Sequence, residues 1–208
     1  MNIDRHIAIT TPEGRIFGTL TLPEHPYTLI VLPHCGDAPP LQTMVFTALL
    51  AARHAVLDIG LLTHDERPVD DSSLNVHLCE GRLLHVLDFL REDGDSAGLP
   101  LGIFSIGNIA SAALRVAARR DAQVGALVVY QGLIDHAGTQ YLEALAAPLR
   151  VLLDPAGESL APLQTATARA FSHLAAPHEM QLTTPDAVPA ASLQWFSRWL
   201  PPAAFAGP

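Results

Sequence analysis

The chain has 208 residues, 49% of them hydrophobic and 16% charged. That is enough apolar material for one domain with its own core, and too apolar a balance for a disordered segment. The net charge is −9 and all twelve basic residues are arginine. The missing lysine excludes Schiff-base chemistry and a phosphate-loop lysine, and the acidic balance argues against nucleic acid or an anionic membrane as partner.

The opening segment, MNIDRHIAITTPEG, carries no apolar signal-peptide core, and no apolar run reaches the ~18 residues of a membrane span. A soluble, cytoplasmic protein is expected. Cys35 and Cys79 are too few for a disulfide framework and lack zinc-site spacing. The pattern then predicts a hairpin from His6–Thr10 and Arg15–Leu22 around the turn Pro12-Glu13-Gly14. Tyr27–Leu32 is a continuous apolar run of strand length, the signature of a strand buried on both faces in a parallel sheet.

From there strands and helices alternate. Helices are predicted over Leu41–Arg53, Leu74–Arg91, Ile109–Arg119, Tyr141–Ala146, Leu163–Leu174 and Ser192–Leu200. Strands are predicted over Ala55–Leu62, Leu101–Phe104, Ala126–Tyr130, Arg150–Leu153 and Glu179–Thr183. Cys79, Leu83, Val86, Leu87 and Leu90 form one apolar stripe of the second helix, and Trp195 with Trp199 is core packing at helical spacing. The acidic pair Asp70-Asp71 suits a helix N-terminus, whereas Glu92, Asp93 and Asp95 read as a solvated loop. The alternation predicts one α/β domain over residues 1–200, with an antiparallel hairpin, six parallel strands and helices on both faces. The Pro/Ala tail 201–208 is expected to fray, and no residues remain for a lid domain.

Segment Leu99–Ala118, LPLGIFSIGNIASAALRVAA, resembles the strand–turn–helix region of small dienelactone-hydrolase-like proteins of the α/β-hydrolase superfamily. The likeness continues through Asp135-His136-Ala137-Gly138, Ile59–Glu66 and the closing Ser192–Leu200. It implies a three-layer α/β-hydrolase fold. It also implies a nucleophile on a tight turn after the fifth strand, an acid after the seventh strand and a His after the eighth. In the ungapped register the nucleophile position is Gly107, flanked at two residues' distance by Ser105 and Ile109. Glycine takes the strained turn conformation at little steric cost, so the turn reads as kept without its hydroxyl. The loop after the eighth strand, Thr184 to Val188, carries no His.

The first reading is therefore a non-catalytic member with a degenerate triad, binding a small carboxylate, ester or lactone, or a protein partner, with no cofactor and no stated oligomeric state. The second is a hydrolase of a small ester or lactone. It would use Ser105 in a shifted register, His136 or His64 as a displaced base, and Asp154 as acid (Glu158 also follows the seventh strand). A serine capping the following helix is the plainer use of Ser105. The resemblance places an oxyanion hole at Cys35-Gly36 with Ile106 or Asn108, and the pocket wall includes His34 and His64. A third reading sets a metal among His34, His64 and His136, with Asp37, Asp65, Glu66, Asp135 and Asp154 in the same loops.

Overall fold

A computed structural model describes residues 2–36, 38–66 and 75–200, with His64 described for its backbone alone. Asp37, Asp70, Asp71 and the 201–208 tail lie outside the described residues. The strands are β1 (Ile3–Thr11), β2 (Gly14–Leu22), β3 (Leu29–His34), β4 (Ala55–Gly60), β5 (Leu101–Ile106), β6 (Val124–Tyr130), β7 (Leu149–Leu153) and β8 (His178–Leu182). The helices are α1 (Pro40–Ala51), α2 (Val76–Glu92), α3 (Ala110–Arg119), α4 (Thr139–Ala144), α5 (Leu160–Phe171) and α6 (Val188–Trp199).

The strands form one sheet in the order β1-β2-β4-β3-β5-β6-β7-β8. β1 pairs antiparallel with β2, and β2 antiparallel with β4. The remaining pairings are parallel. All strand carboxyl ends from β3 onward thus open onto one edge, where ligands bind in sheets of this kind. Val45 and Leu49 of α1 and Trp195 and Phe196 of α6 cover one face, against Ile30, Leu32 and Phe104. α2, α3 and α5 cover the other through Leu83, Leu87, Val116 and Ala170, against Val31, Leu57 and Leu127.

Boundaries shift where local chemistry outweighs hydrophobic period. α2 begins at Val76 because the Asn75 side chain accepts a hydrogen bond from the Leu78 N–H at 3.1 Å, capping the helix. β3 starts at Leu29 and runs through Pro33 to His34, later than the apolar run suggested. α6 starts at Val188, four residues earlier than expected, with Pro189 in its first turn, where a proline costs no hydrogen bond. The acidic loop after α2 is corrected as well: Asp93 is not solvated. Arg5 of β1 grips it at 2.8 Å, its side chain is only 7% exposed, and that contact holds its carboxyl below the usual range.

Candidate functional site at the carboxyl edge

β5 extends to Ile106, two residues beyond its predicted end, and this places Ser105 inside the strand, paired with Val129 of β6. Ser105 is 1% exposed and its Oγ has no hydrogen-bond partner. The capping role expected for it is corrected accordingly, since no side chain caps the turn or helix that follows. The chain then turns at Gly107, whose φ is +64°. A short helical turn, Gly107–Ile109, leads directly into α3. The left-handed conformation at position 107 matches the strained turn that the resemblance implied.

The turn is held from β6. A Cβ added to Gly132 would lie 2.6 Å from the Ala110 Cβ, 2.7 Å from Val129 Cγ1 and 2.9 Å from the Gly107 carbonyl oxygen. Only a residue without a side chain lets this loop rest on the elbow. Gln131, beside it, adopts φ +54°, and its Oε1 is buried without a partner. Sequence reasoning missed both residues; the dipeptide Gln131-Gly132 directly after a buried strand was the available signal.

Other expected site residues take local partners along this edge. Asp154 follows β7, and its Oδ1 accepts from the Ala156 N–H at 2.9 Å, closing a local turn. Burial pushes the Tyr130 phenol up, and the Asp154 carboxylate adds to that effect. His136 is exposed on the helical turn Ile134–Ala137, and its carbonyl accepts from Arg115 at 3.3 Å. Asp135 pairs instead with Arg169 at 3.0 Å. His34 ends β3, with Nδ1 2.6 Å from the Gly36 carbonyl and Nε2 3.6 Å from Asp58 Oδ1. Gln42 donates to that same Asp58 oxygen at 2.7 Å. After β8, Thr183 is buried with its Oγ1 unpartnered, and Thr184 leads into the turn Pro185–Ala187. Among the described residues no group of three or more His, Cys, Asp or Glu is placed to hold a metal ion.

The loop after β3 carries Cys35 and Gly36, with φ +103° at Gly36. Cys35 is half-buried and its Sγ lies 3.5 Å from Cys79 Sγ in the first turns of α2. Cys79 is fully buried, as its apolar stripe predicted. Its thiol is pushed down by the hydrogen bond from Cys35; burial opposes this and the nearby Arg82 charge assists it. Arg82 itself is wholly buried. It donates to Glu66 Oε2 at 2.5 Å and Oε1 at 3.0 Å, to the Leu61 carbonyl at 2.8 Å and to the Glu13 carbonyl at 3.0 Å. This guanidinium therefore ties the β1–β2 turn, the exit of β4 and α2 into one rim.

Comparison with known proteins places this architecture. The chain superposes on a dienelactone hydrolase from Anabaena variabilis with a TM-score of 0.86 and 23% identity, covering 96% of this chain and 99% of that one. It superposes on a dienelactone hydrolase-like promiscuous phosphotriesterase from metagenomic libraries with a TM-score of 0.76 and 13% identity, covering 95% and 98%. An esterase from an Arctic intertidal metagenomic library gives 0.74 at 17% identity, covering 96% and 94%. The protein has the α/β-hydrolase fold. In sequence it is 30% identical over 154 residues to two Mycobacterium tuberculosis proteins named "Putative phosphoribosyl transferase", from strains CDC 1551 and H37Rv. That match takes in 72% of this chain and 34% of each relative, so the chain spans about a third of the length of the curated relatives it matches. No family model matches.

Proposed function

We propose that this protein is a non-hydrolytic α/β-hydrolase-fold domain whose carboxyl edge binds a small carboxylate, ester or lactone. The observation that carries the reading is the residue at the elbow. Position 107 has the left-handed conformation of a nucleophile turn and is a glycine. The neighbouring Ser105 hydroxyl is buried in β5 and has no hydrogen-bond partner among the described residues. A serine without a base is a poor nucleophile at neutral pH. The segment Thr183 to Ala187 also supplies no imidazole. By the same resemblance, the backbone at Cys35-Gly36 and at Asn108 stands where the fold family has its oxyanion donors, and a carboxylate oxygen is the ligand group that such donors would take. The name of the longer relatives, of which this match takes in about a third, adds no residue to the site, and the reading rests on the sheet and its elbow.

The test pairs a fluorophosphonate probe with an activated ester. Wild-type protein and Ser105→Ala are expected to show equal background turnover and no covalent label. Thermal-shift titration with small carboxylates and lactones is expected to raise Tm. Labelling mapped to Ser105, with turnover lost in Ser105→Ala, overturns the reading in favour of the hydrolase alternative.

A further inference from the structure

The only two cysteines of the chain are 44 residues apart, yet meet at 3.5 Å between sulfurs. They come from different elements: Cys35 from the loop leaving β3 and Cys79 from the start of α2. One is partly open to solvent and the other is fully buried. We infer that Cys35 and Cys79 form a redox-active pair on the rim of the carboxyl edge, with Cys35 as the peroxidatic thiol toward a hydroperoxide and Cys79 as the resolving thiol. A disulfide needs the sulfurs about 2.05 Å apart. The remaining gap of about 1.5 Å is within the reach of side-chain rotation in a loop that is not regular secondary structure.

The chemistry follows from exposure. Cys35, the sulfur open to a hydroperoxide, passes its proton to the Cys79 thiolate that it hydrogen-bonds, and attacks the hydroperoxide; an S–O bond forms, the O–O bond breaks, and the departing alkoxide takes that proton from Cys79 to leave as alcohol. The Cys79 thiolate then attacks the Cys35 sulfenic sulfur; the S–S bond forms, the S–O bond breaks, and the hydroxyl leaves with a proton as water. Two thiols lose two electrons and two protons, and the hydroperoxide accepts both electrons. The buried Arg82 guanidinium favours the thiolate of the resolving residue. The product pins the loop that carries Gly36 to α2, so the oxyanion position is locked in the oxidised form. The inference does not depend on the absence of hydrolysis.

The experiment uses the full-length, reduced protein and hydrogen peroxide, read by intact mass, free-thiol titration and a non-reducing peptide map. The expected result is loss of two hydrogens and of both titratable thiols, a Cys35–Cys79 cross-linked peptide, a rate independent of protein concentration, and full reversal by dithiothreitol. In Cys35→Ser, Cys79 is expected to stay a thiol. In Cys79→Ala, Cys35 is expected to proceed to the sulfinic acid and gain two oxygens. Because Cys79 sits in the core, Cys35→Ser on the loop keeps the test decisive should Cys79→Ala fold poorly. Wild-type protein that gains oxygen at Cys35 with Cys79 still a thiol, that cross-links between molecules, or that does not react overturns the proposal.

Discussion

The Arg82–Glu66 contact offers the sharpest quantitative test, because Glu66 is the carboxylate that hydrogen-bonds a fully buried guanidinium in the rim. The perturbation is Glu66→Gln, which keeps shape and one carbonyl acceptor while removing the charge. Hydrogen bonds from Arg82, followed by the Thr63 N–H, hold the Glu66 carboxyl at about 2 instead of its ordinary 4.5. At about 1.4 kcal/mol per tenfold change in proton affinity this bounds the linkage at about 3 kcal/mol. The Glu66 side chain is 33% exposed, and solvent screening brings the expected loss to about 2 kcal/mol. In a chain of this size that is a fall in Tm of about 4–8 °C. The carboxyl titrates near 4.5 when unfolded and near 2 when folded. Its contribution is therefore complete above about pH 5 and disappears as pH falls from there toward 2. Urea denaturation followed by circular dichroism at several pH values checks both points. A deficit below about 0.5 kcal/mol at neutral pH, or one that stays undiminished as pH falls to the acid end of that window, refutes the assignment.

Four further outcomes are expected. Gly132→Ala forces contacts under 3 Å with Ala110, Val129 and the Gly107 carbonyl, so it should cost about 1–3 kcal/mol in denaturant titrations. Gly107→Ala, at φ +64°, should cost about 1 kcal/mol without altering the far-ultraviolet spectrum. On the proposed non-hydrolytic reading, Gly107→Ser should remain unlabelled by a fluorophosphonate; labelling there would mean that a base reaches the elbow. His54 is buried beside Thr28, and its imidazole is pushed below the ordinary 6.5 by burial. Stability should therefore fall as pH drops below about 6.5, where the unfolded imidazole takes a proton that the folded one refuses, and His54→Gln should flatten that slope in pH-dependent thermal melts.

The sheet was legible because its evidence is periodic. Short apolar runs such as Leu101–Phe104 and Ala126–Tyr130 have the length of strands covered on both faces, and their alternation with amphipathic stretches leaves little choice of layer order. Helix ends were less legible, because a single cap decides them: Asn75 overrides the apolar period that begins at Leu74. The glycine at position 107 was visible in sequence, and its positive φ agrees with that reading. What pattern could not supply were contacts across the fold. Arg82 sits beside Leu83 on the inward stripe of α2, and nothing local says that Glu66 and two backbone carbonyls await it. Arg5 and Asp93 meet across 88 residues. Cys35 and Cys79 were each placed correctly, one on the top-face loop and one in the core, but their meeting is a property of how α2 docks on the sheet.

The left-handed turn at Gly107 has a structural cause in the packing of α3 on the sheet. α3 packs Ala110, Ala112, Ala113, Val116 and Ala117 into the core with essentially no exposure, so the helix must start close against β5. The loop after β6 fits over that start only through Gly132, which rests against Ala110 and the Gly107 carbonyl. A relaxed turn at position 107 would move that carbonyl and break the fit, whatever side chain the position carried. The positive φ is thus required by the close docking of helix on sheet, and glycine supplies it at the lowest conformational cost. A positive φ at a glycine therefore reports this packing, and strain would arise only with a side chain at position 107.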